Sequence, residues 1–372
     1  MDKKQLRTGV IGCGAISDIY LKNMINEFDN LEVVSCAARH LESAQKKARQ
    51  YGIKSCTVDE LLADETIDMV VILTPAPTHY ELIKKALAAG KHVYTEKTIT
   101  ITPETAKELL ELADEKGLYL GSAPDTFMGA SWQTAGKLIA EGALGEITSF
   151  QISANRDLDL LTSMFGFLRM PGGGICYDYG VYYLTALVSL LGPAARVAAV
   201  VKNPKPVRVN VMPGSPEYGK EFSYPNESQV AAVLELESGV TGNFALNGDS
   251  VIADQSQFLI YGTKGILKLT DPNQFGGKNM FLANSYDFAN PPVWTEVENT
   301  FAYEDNSRGI GPSEMAAAIL SEGKNRASKE MAYHVLDIID KMMVSSGSGK
   351  FEAVASTCEK PEPMAEAAST AR

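Results

Sequence analysis

The stretch LRTGVIGCGAIS, residues 6–17, constrains the fold more than any other part of the chain. Six mostly apolar residues, Leu6 to Ile11, read as a strand running into Gly12, Cys13, Gly14, Ala15, Ile16 and Ser17, and DIYLKNMINEF then has helical spacing. This is the GxGxxG pattern with serine in the third place. Gly12 permits the tight turn, Gly14 lets a pyrophosphate approach the backbone, and Ser17 is small enough for helix to pack on strand. The helix start offers N–H groups and a positive dipole end to phosphates. Taken alone, the motif fits an ordinary strand–turn–helix equally well.

Its context favours the nucleotide reading. Strand patterns at LEVVSCAAR, IDMVVILTP, KHVYTE and LYLGSA alternate with helical ones at LESAQKKARQYG, THYELIKKALAAG and TPETAKELLELADEKG, with DELLAD between. Such alternation means βαβ units and a parallel sheet of the Rossmann type. Ligands of these sheets bind outside the carboxyl ends of the strands, so GCGAIS, TPAPTH and TEKT share one rim. Thr74, Pro75 and His79 are then expected to line a cofactor cleft, together with Glu96 and Lys97. An adjacent Glu-Lys pair is otherwise most simply a surface pair. After the second strand come Cys36, Ala37, Ala38, Arg39 and His40, with no acid to hold a ribose 2′-hydroxyl. Arg39 therefore makes NADP the first choice, with NAD held through other contacts as the alternative.

At 372 residues and 45% apolar composition the chain exceeds one ordinary domain. Forty-six acidic against 34 basic side chains leave a net charge of -12, which disfavours nucleic acid and anionic membrane as partners. No apolar run approaches the length of a membrane span. The cysteines, at 13, 36, 56, 176 and 358, form no CxxC, and no set of histidines and carboxylates has metal-ligand spacing. With no secretory leader pattern in the first residues, a cytoplasmic location is expected.

A second constellation lies in MPGGGICYDYGVYYLTALVSLLG. Asp178 and Tyr182 stand four apart in what reads as a helix, so both project from one side. The plain alternative is an acid at a helix start and a packing tyrosine. Strand patterns at ITSFQISANR, ARVAAVVK, SQVAAVLELESGVTGNFALNG and SQFLIYGTKGILKL build hairpins of a large open, mostly antiparallel sheet. KNPKPVRVNVMPGSPEYG and DPNQFGGKN read as loops, long enough for lids or subunit contacts. The expected divisions are residues 1–123, 124–351 and a tail, 352–372, read as an arm or flexible.

The combination of GxGxxS, TPxxTH, AGKHVYTEK and GGGICYDYGVYY resembles the Gfo/Idh/MocA oxidoreductases, over roughly Arg7 to Phe351. The resemblance implies an NAD- or NADP-binding domain joined to an open-sheet α/β domain, acting on sugars, cyclitols and their derivatives. It implies that Lys97 is the catalytic lysine and Glu96 a cofactor-side residue, although Thr98 stands where the family has proline. It places Tyr182 at a position where the family often has histidine; the glucose-fructose oxidoreductase branch, like this chain, has tyrosine there. Tyr182 would then take the hydroxyl proton, assisted by Lys97, while Asp178 orients the sugar or helps relay the proton. Asp125, Asn155, Arg156 and Asp157 fall where the family contacts substrate. Branch-level likeness suggests oxidation of a glucoside at C3; inositol, an anhydro-sugar or an aldose at C1 would suit the same residues. Other readings are an NAD(P)-binding sensor without turnover and a reductase of a non-sugar carbonyl or diol. A homo-oligomer, dimer or higher, is expected to cover the sheet through residues such as Val233, Leu236 and Phe244.

Overall fold

The computed structural model describes residues 4–250 and 256–366. The chain forms two compact units, 1–125 with 306–336 and 126–305 with 337–372. The first is built on strands β1 (Leu6–Ile11), β2 (Leu31–Ala37), β3 (Lys54–Cys56), β4 (Met69–Ile72), β5 (His92–Thr95) and β6 (Leu120–Ser122). They pair in parallel in the order β3-β2-β1-β4-β5-β6. Helices α1 (Ser17–Asn26), α2 (Leu41–Tyr51), α3 (Val58–Ala63), α4 (His79–Ala88) and α5 (Pro103–Lys116) connect them. The order reverses between β1 and β4, which opens the ligand crevice of such sheets at that point.

Local chemistry sets these elements. All four residues of β4 are fully buried, as a central parallel strand covered on both faces requires. Thr57 and Glu60 form a reciprocal capping box on α3. Thr102 caps α5 and Pro103 occupies its first position, while Gly117, at φ 64°, ends it in the left-handed conformation.

The second unit carries a nine-stranded sheet. Its strands are β7 (Ile147–Asn155), β8 (Ala194–Lys202), β11 (Gln229–Leu236), β12 (Thr241–Asn247), β13 (Gln257–Gly262), β14 (Gly265–Leu269), β15 (Asn279–Ala283), β16 (Thr295–Val297) and β17 (Glu352–Ala353). Its order is β16-β15-β14-β13-β7-β12-β11-β8-β17, antiparallel except for the β7–β12 pair. Two short strands, β9 (Val207–Val209) and β10 (Glu221–Ser223), pair as a separate antiparallel hairpin; β9 lies inside the segment expected to be only a loop and β10 just after it. Helices α6 (Ala130–Ala140), α7 (Leu158–Met164) and α8 (Val181–Leu191) belong to this unit.

Burial alternates along β7 and β11, so one face of this sheet is covered and the other open. Leu236 and Phe244, expected on the open face, are instead buried in the unit's own core, whereas Val233 is 48% exposed. Val233 and Leu236 are three apart in one strand, and period 2 puts such residues on opposite faces.

Residues 306–336 return to the first unit, so the second unit is interrupted, whereas the expected division 124–351 was continuous. Asn23 Nδ2 donates to the carbonyls of Asn306 and Arg308 at 2.8 Å each, and Asn30 Nδ2 donates to that of Ser313 at 2.7 Å. The tail is also anchored as far as residue 366. β17 pairs with β8, Asp337 accepts the Ser356 N–H and hydroxyl, and the Met364 N–H donates to Gln133 Oε1. The final residues, 367–372, lie outside the described ones.

Candidate functional site

Gly12, at φ +113°, sits where an added Cβ would lie 2.7 Å from the carbonyl carbon of Leu73, so only glycine fits between the ends of β1 and β4. Nothing lies within 4 Å of the corresponding position on Gly14. Gly14, Ala15 and Ile16 are exposed, and Ile16 supplies no side-chain cap to α1. Ser17 is buried, with its hydroxyl donating to the Gly14 carbonyl at 2.6 Å. An uncapped helix start with open space above the glycine fits the diphosphate of a dinucleotide. Arg39 is exposed just beyond β2, its Nε 3.3 Å from His40 Nε2.

The Glu-Lys pair is asymmetric. From Val93 to Thr100 every residue is buried except Lys97. Glu96 is 8% exposed and turned inward: Tyr20 donates to its Oε1 at 2.8 Å and the Lys97 N–H to its Oε2 at 3.1 Å. The carboxylate therefore ties down the turn that presents the lysine. Burial beside Glu96 pushes the Tyr20 phenol well above its ordinary range, so it stays a donor. The Lys97–Thr98 peptide bond is cis, although threonine stands there in place of proline.

Three expected contacts take a different place. His79 is fully buried, with Nδ1 2.7 Å from the Thr98 carbonyl and Nε2 2.7 Å from the Thr74 carbonyl. It braces the two loops from beneath instead of lining the cleft, and burial lowers its pKa against the pull of those carbonyls. Thr74 and Pro75 themselves remain at the surface beside that brace. Asp125 is 1% exposed, and its Oδ2 accepts the N–H groups of Gly309 (3.2 Å) and Gly311 (3.1 Å) at the start of helix Ile310–Ser321. Its carboxylate serves as a buried helix cap. Asp157 caps α7 by accepting the Leu160 N–H at 3.0 Å.

Asp125→Ala leaves two buried amides without an acceptor, so it should cost about 1–3 kcal/mol of stability. Chemical denaturation of the variant measures this, and an unchanged midpoint would refute the cap.

In the second unit, Cys176–Gly180 form a π-turn leading directly into α8, with the Val181 N–H donating to the Cys176 carbonyl. The expected helix is thus wider at its start, a local form that recurs at functional sites. Asp178 is half-buried on this turn and Tyr182, in the first turn of α8, is 8% exposed. Tyr179 is held elsewhere: its hydroxyl donates to Asp271 at 2.7 Å and lies 3.0 Å from that of Tyr183. The Arg156 guanidinium sits 3.6 Å over the Tyr179 ring. Asn155 alternates with buried Ala154 and so lies on the open face of the sheet, beside Gln229 and Asn247. The sequence reading missed Tyr20 and Glu227, whose partners lie 76 and 51 residues away in the chain.

No group of three or more His, Cys, Asp or Glu among the described residues is placed to hold a metal ion. None of their helices is long and apolar enough to cross a membrane.

Curated relatives include an uncharacterized oxidoreductase of Schizosaccharomyces pombe, 35% identical over 52% of this chain and 54% of its own. In that case the chain spans about half the relative's length. The dTDP-3,4-didehydro-2,6-dideoxy-alpha-D-glucose 3-reductase of Streptomyces violaceoruber is 28% identical over 90% of this chain and 97% of its own. Among solved structures, a levoglucosan dehydrogenase in complex with NADH and L-sorbose superposes with a TM-score of 0.83 at 20% identity, covering 95% of this chain and 99% of its own. That likeness speaks to the fold. Residues 6–123 match the profile of the oxidoreductase family with an NAD-binding Rossmann fold, and residues 132–268 match the GFO/IDH/MocA C-terminal domain. With both halves matched in order, and the glycine turn shaped for a dinucleotide, the chain belongs to the Gfo/Idh/MocA family of oxidoreductases.

Proposed function

We propose that this protein transfers hydride between a hydroxyl-bearing carbon of a sugar or glycoside and a nicotinamide cofactor, with Lys97, Asp178 and Tyr182 handling the proton. The observation that carries this reading is Lys97, the one side chain of Val93–Thr100 that is not buried, at the end of β5 on the nucleotide-binding rim. The cofactor, when bound, supplies the hydride acceptor or donor. Gly12, Gly14, Ala15 and Ile16 cradle its phosphates, Thr74 and Pro75 border it, and Arg39 favours the 2′-phosphate of NADP. The Lys97 ammonium donates to the substrate oxygen and stabilises the alkoxide that develops there. Tyr182 accepts the hydroxyl proton and Asp178 orients the sugar.

The Streptomyces relative that matches nearly end to end is named as a sugar 3-reductase, which supports position 3 of a glycoside as the reacting carbon. A 3-keto group acidifies the neighbouring C–H and so prepares a glycosidic bond for later elimination. We assign the exposed Val200 and Val233 of neighbouring strands β8 and β11 to contact with a second copy, giving a homo-oligomer that sedimentation would reveal. The five cysteines are free thiols, as suits the cytoplasm.

The test is the absorbance of reduced nicotinamide on adding glucose, glycosides or inositols, with NAD and NADP in separate runs. A band with one sugar class, stronger with NADP, is expected. Demonstrated cofactor binding with no band for any polyol would overturn the reading in favour of a sensor or a reductase of a non-sugar carbonyl.

A further inference from the structure

The glycines of MPGGGICYDYG leave room for one carboxylate. A Cβ on Gly174 would lie 1.9 Å from Glu227 Oε2, and one on Gly173 would lie 2.3 Å from the Leu168 carbonyl oxygen. Glu227 comes from the loop just before β11 and lays its side chain against the start of the π-turn. Its Oε1 accepts the Cys176 N–H at 3.0 Å, the Tyr177 N–H also donates to the carboxylate, and its own carbonyl accepts the Ile175 N–H at 3.0 Å. From the same loop the Tyr224 hydroxyl donates to the Gly173 carbonyl at 3.2 Å. The Asp178 N–H donates to the Gly174 carbonyl at 2.8 Å. The backbone on which Asp178 rides is thus bonded at Gly173, Ile175, Cys176 and Tyr177 to the 224–227 loop, with Gly174 packed against the carboxylate.

We propose that Glu227 is a positioning residue: its carboxylate, seated on the amides of Cys176 and Tyr177, sets the π-turn that carries Asp178 ahead of Tyr182. This rests on the reading that Asp178 and Tyr182 handle the substrate.

The electrostatics support it. Among the described residues Glu227 has no ion-pair partner. The titratable groups facing it are Cys176 and Tyr177 of the turn and Tyr224 of its own loop. Arg208, Asp249 and Asp178 lie around Tyr224, and Asp340 lies near Tyr177. Burial pushes the Glu227 carboxyl up to about 7, against the pull of the backbone amides. Because its folded value is raised, its contribution to stability is complete below the ordinary carboxylate range and is lost as pH rises through about 7. Ionisation strengthens the grip on the amides while it weakens the fold as a whole. A side chain kept only for stability would show no such conflict.

The experiment compares wild type, Glu227→Gln and Glu227→Ala by thermal midpoint from pH 5 to 8.5 and by amide hydrogen exchange of the 172–182 segment. Turnover is followed with whichever sugar gives a nicotinamide band. In wild type, protection of 172–182, corrected for intrinsic rates, should rise between pH 6 and 8. Glu227→Gln should raise the midpoint at pH 8 by a few degrees, yet speed exchange of 172–182 about tenfold and lower kcat about tenfold, with cofactor affinity unchanged. Exchange unaltered in both variants, and independent of pH in wild type, would overturn the proposal. So would a loss of stability at every pH with no separate effect on kcat, which marks a merely structural residue. Exchange needs no substrate, so a failed sugar screen counts against the proposed function and leaves this inference to be decided by the 172–182 segment.

Discussion

Lys97→Met should lower turnover by about 10³-fold or more while leaving cofactor affinity within a few-fold of wild type. The argument lies in how the turn is built. Glu96 faces inward to Tyr20 and the Lys97 N–H, and His79 holds the carbonyl of Thr98. Those contacts use the side chains of residues other than Lys97 and main-chain atoms that methionine also has. Methionine keeps an unbranched apolar stem of similar reach and removes only the ammonium. In the proposed reading phosphate recognition rests on the Gly12–Ser17 turn, which lies far along the chain from the substituted residue. Titration with NADPH followed by fluorescence, beside steady-state rates on the sugar found to react, separates the two effects. Wild-type rates in the variant would remove the lysine from the mechanism. Loss of cofactor binding together with turnover would make it a binding residue and nothing more.

The first unit was legible because each of its rules is local. A strand followed by GxGxxS, three further strand–helix alternations and a glycine that tolerates φ +113° imply the parallel sheet and its rim without any long-range contact. The failures share a cause. His79 lies 19 residues from the Thr98 carbonyl it meets, and Asp125 lies 184 from the Gly309 amide it caps. A polar residue near the rim reads as a ligand until its partner is known. In the open sheet, period 2 is plain in β11 and β12, but the phase that faces the helices is fixed by pairing across the sheet, so Leu236 and Phe244 were placed on the wrong side. The triple glycine marked the neighbourhood of Asp178 and Tyr182. The carboxylate it accommodates enters from 51 residues further on, and nothing in NESQ distinguishes that glutamate from a solvated one.

Tyr182→Phe should cost on the order of 10² or more in kcat and remove one limb of its pH profile. An ordinary tyrosine has a pKa near 10, so it accepts a proton near neutrality only when its anion is favoured; the Lys97 ammonium and the oxidised cofactor are the cations assigned to that task. The neighbouring phenols cannot stand in. Tyr179 is committed to Asp271 and Tyr183, and burial drives it and Tyr183 to pKa values well above the ordinary tyrosine range. Phenylalanine keeps the ring that packs at the start of α8, and a thermal midpoint measured beside the rates separates a loss of chemistry from a loss of fold. A variant that retains both limbs of the profile would move the proton to Asp178, four residues earlier on the π-turn and half-buried. In that case Asp178→Asn should show the missing limb, and the wide turn would serve to present a carboxylate, with Tyr182 as its neighbour.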